Sequence, residues 1–242
     1  MADEIRPRLR GILFDKDGTL LDFEASWNRV YRELALDLAR GDAVRAEAMM
    51  VAGGLDPASG RIRAGTVLAA GTTIDIARLW FPELLDEAFN TLVVDIDAVF
   101  HRNGVSYSVP VPGLVETLEA LDGMGFVMGV ATSDGTAATK AALEMLGVRR
   151  LLPHVFGYDS VARPKPGPDM VDAFAAAAGL APAEIAVVGD NHHDLAMARA
   201  AHAGAAVGVL SGTGEAADLA PLADVILADI RALPGWLHQN RK

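Results

Sequence analysis

Five short apolar runs constrain this chain more than any other feature: Gly11–Phe14, Phe126–Ala131, Ile185–Gly189, Ala205–Leu210 and Val225–Ala228. Val155–Tyr158 is a weaker sixth. Each has the length and apolar content of a strand buried on both faces. Between them lie Ala- and Leu-rich patterns at helical spacing, Leu114–Met124, Ala137–Leu146, Asp169–Ala178 and Leu195–Ala203. Strands alternating with helices of this length predict βαβ units, and so an α/β fold with a Rossmann-like parallel sheet.

The stretch between Leu21 and Val109 breaks that pattern. Trp27, Val30, Tyr31, Leu34 and Leu38 fall at helical spacing, with Ser26 as the expected N-cap. Ala43–Ala52, Thr73–Leu79 and Pro82–Phe100 also read as helix. The prolines and glycine of Val109–Gly113 punctuate the exit and predict a hinge there. Two domains are expected: an α/β core from residues 1–21 and 110–242, and an inserted helical cap from residues 22–109.

A chain of 242 residues that is 51% hydrophobic and 22% charged has ample material for such cores. Its formal net charge of −11 argues against nucleic acid or an anionic membrane as partner, while leaving small anionic substrates open. The absence of cysteine removes disulfides, thiolate metal sites and cysteine nucleophiles. Residues 1–10 are charged and lack a signal-peptide core, and no apolar run reaches bilayer length. A soluble cytoplasmic protein is the expectation.

The first run ends in Asp15-Lys16-Asp17-Gly18-Thr19, and the carboxyl end of a parallel strand opens onto the ligand crevice. Two carboxylates ~4 Å apart repel by roughly 4 kcal/mol at an effective dielectric of 20, so the pair calls for a cation or a proton. An ordinary Asp-Gly turn and a surface ion pair through Lys16 are the plainer readings. An EF-hand loop fails, since Thr19, Leu20 and Ser26 stand where it needs an acidic ligand, glycine and glutamate.

The Ile185–Gly189 run ends likewise in Asp190, with Asp194 near the start of the next helix. His192 and His193 between them read as solvated or loop residues, with substrate contact as the lesser alternative. Val127–Ala131 runs into Thr132-Ser133-Asp134-Gly135, whose hydroxyls and N–H groups could cradle a phosphate or simply cap a helix. The prolines of Arg163-Pro164-Lys165-Pro166 would hold Lys165 in a fixed direction.

Taken in order, Asp15-x-Asp17-Gly18-Thr19, Thr132, Lys165-Pro-x-Pro and Gly189-Asp190-x-x-x-Asp194 resemble the motifs of the haloacid dehalogenase superfamily. The likeness is to its phosphatase branch, and most of all to the phosphoglycolate phosphatase-like group. The resemblance implies an HAD-like core with a cap inserted after the first motif. It implies a Mg2+-dependent phosphatase acting on a small phosphomonoester, phosphoglycolate-like or a sugar phosphate. Asp15 would attack phosphorus and become an aspartyl-phosphate, and Asp17 would serve as general acid and base. Thr132 and Ser133 would bind the phosphoryl oxygens, and Lys165 would balance the charge. Asp15, the backbone carbonyl of Asp17 and Asp190 would hold Mg2+, with Asp194 behind them.

Asp17 favours phosphate-ester chemistry over dehalogenation, and the absence of lysine from Leu21–Val109 excludes the phosphonate-cleaving relatives. A sugar phosphomutase shares the motifs and stays open. A non-catalytic phosphate sensor would be expected to lack one of these residues. Gly212-Thr213-Gly214-Glu215-Ala216-Ala217 outlines a dinucleotide fingerprint, read here as a glycine-rich loop beside the site with an NAD-dependent oxidoreductase as the alternative. In the cap, Arg61 and Arg63 could meet an anionic substrate tail, and Glu24, Trp27 and Asn28 could line the interface. The oligomeric state, monomer or homodimer, is not legible.

Overall fold

In the computed structural model six parallel strands form one sheet in the order β3-β2-β1-β4-β5-β6. They are β1 (Gly11–Phe14), β2 (Val127–Ala131), β3 (His154–Phe156), β4 (Ile185–Gly189), β5 (Ala205–Val209) and β6 (Val225–Leu227). The structure describes residues 8–239. Residues 1–7 and 240–242, with most of the charged N-terminal stretch read from sequence, lie outside the described residues. The expected parallel α/β sheet is the one the chain forms, with all six runs as strands.

Five inserted helices follow β1 before the chain returns to the sheet layer at Val109–Gly113: α1 (Phe23–Leu38), α2 (Ala43–Gly53), α3 (Val67–Ala70), α4 (Thr73–Trp80) and α5 (Asp86–Val99). The last runs on through a π-helical turn at Phe100–Gly104. The core helices are α6 (Leu114–Gly123), α7 (Thr136–Met145), α8 (Asp169–Ala178), α9 (His192–Ala200), α10 (Ala216–Leu219) and α11 (Leu233–Gln239).

Alternation along each strand feeds two layers. Ile12 and Phe14 of β1 pack with Leu114, Leu118, Leu233 and Leu237 on one side of the sheet. Leu13 packs with Met170, Phe174 and Leu195 on the other. Helices on both faces explain why the strands carry no polar alternation. The inserted helices bury a third cluster of their own, built on Trp27, Tyr31, Leu34, Met50, Leu68, Ile76, Ile96 and Phe100.

Two linkers join the insert to the sheet, and they pair with each other. Asp22 N–H donates to the Val109 carbonyl at 2.8 Å and Val111 N–H to the Leu20 carbonyl at 3.0 Å. Asp22, not Ser26, caps α1, accepting the Ala25 N–H at 3.0 Å. Ser26 lies one turn inside the helix, buried, and its hydroxyl accepts the Val109 N–H at 3.0 Å. A helix-capping residue type has been used to pin the outgoing linker. Among the described residues no helix is long and apolar enough to cross a membrane.

Candidate active site

Sheet order reverses between β1 and β4, which are hydrogen-bonded neighbours with Phe14 beside Val188. At such a reversal the loops leaving two strands diverge and open a crevice. Asp15 and Asp17 leave β1 there, Asp190 leaves β4, and Thr132 leaves the adjoining strand β2.

Lys165 reaches into the centre of this crevice. Its ammonium lies 2.6 Å from Asp15 Oδ1 and 2.6 Å from Asp194 Oδ1. Both bonds are buried, the lysine and Asp194 side chains being only 3% exposed. Burial alone would lower the lysine pKa, but the two carboxylates raise it above its usual value, so the charge is locked on. Asp15 is pushed up to about 6, chiefly by burial and further by Asp194, with Lys165 opposing. Asp194 is also fixed from its other side, where Oδ2 accepts the Asn191 N–H at 3.0 Å in a capping box at the start of α9.

Asp190 is held differently. Oδ2 accepts the Thr213 N–H at 2.8 Å, and Oδ1 accepts the Thr19 hydroxyl at 3.4 Å. Burial drives its pKa well above the ordinary carboxylate range, and Asp15 and Asp194 add to the shift. Asp15, Asp190 and Asp194 offer oxygens within 4.8 Å of one another. Three buried carboxylates and one lysine are short of positive charge, and hard oxygen donors of this kind suit a small divalent cation. The residues present therefore fit Mg2+.

The glycine-rich loop serves this carboxylate. A Cβ at Gly212 would collide with the Asp190 carboxylate, and one at Gly214 with the Asp190 carbonyl. Ser211 donates to the Gly18 carbonyl at 2.7 Å. Gly18 itself has φ +94° and lies against the same carboxylate. The glycines of the apparent dinucleotide fingerprint are thus explained by the close approach of two loops around Asp190.

Asp17 belongs to a second network. Its Oδ1 accepts the Trp27 indole N–H at 2.5 Å, and its Oδ2 pairs with Lys16 at 2.9 Å. Lys16 also reaches Asp134 Oδ2 at 3.1 Å and lies over the Trp27 ring, 5.1 Å from its centroid. The surface pair expected of Lys16 is in fact a buried one, with the lysine side chain 3% exposed. Burial raises the Asp17 pKa against the pull of Lys16, an arrangement suited to holding a transferable proton.

Thr132 is buried at the end of β2. The phosphate cradle read beside it is smaller than expected. The N–H groups of Thr132, Asp134 and Gly135 are spent on the Phe156 carbonyl, Thr132 Oγ1 and Asp134 Oδ1 respectively. Helix α7 starts only at Thr136, after Gly135. The Thr132 hydroxyl proton and the Ser133 N–H are what this turn retains for a ligand. The Ser133 hydroxyl donates to the Ala70 carbonyl of the insert at 3.2 Å.

The inserted helices roof the crevice, leaving a partly open cavity of about 50 Å³. Phe23, Trp27, Tyr31, Leu68, Ile76 and Phe100 form its apolar wall, opposite Asp15, Asp17, Thr132 and Lys165. Tyr31 stacks on Trp27 at 5.2 Å, and Phe100 meets both edge-on at 5.1 and 5.8 Å. Tyr158 of the core donates to Asp97 of α5 at 2.7 Å, tying the two parts together on a second side.

Other expectations from sequence are displaced. Arg63 is exposed and is absent from the cavity wall. Arg61 is also exposed, 3.8 Å from Glu24, whose carboxylate accepts the Ile62 N–H at 3.1 Å and so braces that loop. Asn28 donates to the Gly60 carbonyl at 3.1 Å, another brace. His192 and His193 open helix α9. His192 is exposed, whereas His193 lines the cavity. His193 has a pKa lowered by burial and by His192, and its ring meets the Ala70 carbonyl.

A family model described as haloacid dehalogenase-like hydrolase matches residues 9–202. The chain belongs to that family. Among curated relatives, a probable phosphatase, IndB, of Dickeya dadantii is 35% identical over 208 residues, covering 83% of this chain and 81% of that protein. A phosphoglycolate phosphatase of Xylella fastidiosa is 31% identical over 192 residues, 79% of this chain and 76% of that protein. The crystal structure of a predicted phosphoglycolate phosphatase from Haemophilus somnus superposes with a TM-score of 0.72 at 22% identity, over 95% of this chain and 98% of that one. This last likeness bears on the fold alone. The resemblance read from the four motifs is borne out: the chain is a hydrolase of the haloacid dehalogenase superfamily, related to its phosphatases.

Proposed function

We propose that the protein hydrolyses a small phosphomonoester with Mg2+ as cofactor, through an aspartyl-phosphate on Asp15. The observation that supports this best is the buried Lys165, bridging Asp15 and Asp194 beside an Asp190 carboxylate in want of a cation. Asp15 attacks phosphorus in line, and the P–O bond to the leaving alcohol breaks as the Asp15–P bond forms. Asp17 gives its proton to the departing oxygen. It then takes one from the water that cleaves the acyl phosphate, releasing inorganic phosphate and restoring Asp15. Lys165 keeps Asp15 oriented and offsets charge on the transferring group, while Thr132 and Ser133 hold its oxygens.

Asp15, Asp190 and the Asp17 backbone carbonyl would hold Mg2+, with Asp194 behind them steering Lys165. The bound cation supplies charge neutralisation for a dianionic ester. Residues 22–109 act as the cap over a core made of 1–21 and 110–242. Their separate apolar cluster and the paired linkers at Leu20–Asp22 and Val109–Val111 support that division. The cytoplasmic location expected from sequence belongs to the same reading. Steady-state hydrolysis of p-nitrophenyl phosphate and a panel of phosphomonoesters, with and without Mg2+, tests it. Turnover that requires Mg2+ is expected, and no turnover of any ester would overturn it.

A further inference from the structure

Resting on the phosphatase reading, we infer that the leaving group of the physiological substrate is uncharged and carries an apolar, flat portion. The inserted helices bring no cation to the cavity. Leu21–Val109 contains no lysine, and none of its arginines lines the cavity wall. Arg29 is paired with Glu33 at 2.7 Å, Arg32 donates to Asn28 at 2.9 Å, and Arg78 donates to the Leu84 carbonyl at 3.0 Å. Arg61 and Arg63 are exposed outside it.

Among the described residues the core brings no spare positive charge to the cavity either. Lys165 is held by Asp15 and Asp194, and Lys16 by Asp17 and Asp134. The cation that this site fits would be taken up by its carboxylates and the phosphoryl group. His193 directs its ring to the Ala70 carbonyl.

What the wall does offer is aromatic and aliphatic surface. Trp27, Tyr31 and Phe100 interlock, with Leu68 and Ile76 beside them. Of the wall's polar side chains, Trp27 is spent on Asp17 and Thr73 donates to Asp97 at 2.6 Å. The Tyr31 hydroxyl, in a side chain only 6% exposed, makes no hydrogen bond among the described residues. On the inserted helices' side it leaves the ligand one neutral donor, fit for an ether, hydroxyl or carbonyl oxygen. A carboxylate on the leaving group would be stripped of water against this wall with no counter-charge, close to Asp17 and Asp134. An aromatic or branched aliphatic group would bury its surface there with no such penalty.

The test compares kcat/KM of the Mg2+-loaded protein for benzyl phosphate, ethyl phosphate and phosphoglycolate. Ethyl phosphate and phosphoglycolate are close in size and differ in the carboxylate, while benzyl phosphate adds the ring. The expected order is benzyl over ethyl over phosphoglycolate, with about 100-fold between the extremes. Ala69→Arg, placing a cation on the same wall, should raise the phosphoglycolate-to-ethyl ratio about tenfold. Phosphoglycolate turned over as well as or better than ethyl phosphate by the unmodified protein overturns the inference and leaves the phosphatase reading standing. Should no ester be turned over, the phosphatase reading falls and the leaving-group inference falls with it.

Discussion

The indole N–H of Trp27 donates to the Asp17 carboxylate across 2.5 Å, linking the first inserted helix to the loop that ends β1. The same ring forms part of the apolar roof over the cavity. One side chain therefore orients the proposed general acid and faces the leaving group. The placement of the insert and the orientation of Asp17 are linked through it.

Trp27→Phe keeps the ring packing and removes the donor. A charge-assisted hydrogen bond contributes about 1.5–3 kcal/mol. Loss of half of that, about 0.75–1.5 kcal/mol, in the transition state would reduce kcat about four- to thirteenfold. KM should change little, and the basic limb of the pH–rate profile should move, because Asp17 loses a partner of its ionised form. A fall confined to KM would contradict the positioning role.

Asp17→Asn should cut kcat by about 10²–10⁴ for alkyl esters. In the first step, read as the single-turnover burst of released alcohol, the loss should be much smaller for p-nitrophenyl phosphate, whose leaving group departs without a proton, while the later hydrolysis of the aspartyl-phosphate loses its base with either ester. Equal losses of the burst rate for both substrates, measured side by side, would remove Asp17 as the acid. Thermal unfolding of the variant checks that Lys16, left with Asp134, has not undone the fold.

Lys165→Met leaves Asp15 and Asp194 facing each other without their shared cation. Breaking a buried ion pair by removing one partner costs about 3–5 kcal/mol. Urea unfolding at neutral pH should show a loss of that order, accompanied by loss of turnover. The destabilisation should shrink in acid, where one carboxyl accepts a proton. A variant as stable as the parent at neutral pH would mean that the bridge is not formed in solution.

The raised Asp15 pKa sets a pH dependence for metal-free protein. Burial, reinforced by Asp194 and opposed by Lys165, lifts Asp15 from its ordinary value to about 6. Its protonated form is favoured by folding, so its stabilising contribution is full below the unfolded pKa and fades as pH rises through about 6. A cation must displace that proton. The gain in Tm on adding Mg2+ should therefore be larger at pH 7.5 than at pH 5, approaching the shift for about 2.7 kcal/mol at a hundredfold excess over Kd. A gain that is larger at pH 5, read by scanning calorimetry, would contradict this site.

Much of this was legible in the chain. All six strands stood out because a sheet covered on both faces needs uninterrupted apolar runs. The four motifs stood out because chemistry at strand ends demands fixed residue types. What was not legible depends on partners distant in sequence. Ser26 has the residue type of a cap, but its partner is Val109, and only the folded linkers show it. Lys16 has the look of a solvated lysine, yet Asp134, 118 residues on, holds it in the interior. Arg63 follows a glycine-flanked pattern suggestive of a binding loop, but beside the short pairing of Leu55 with Ile62 it is exposed and absent from the cavity wall. Gly212 and Gly214 matched a nucleotide motif locally, although the object they approach is a carboxylate on another loop.

The central claim is that phosphorus is transferred to Asp15. Acid-quenching the Mg2+-loaded protein during turnover and sequencing its peptides by mass spectrometry tests this directly. A phosphoryl adduct on the peptide carrying Asp15, absent from Asp15→Asn together with turnover, is the predicted result. Sustained hydrolysis by Asp15→Asn, with no adduct on that peptide in the parent protein, would contradict it.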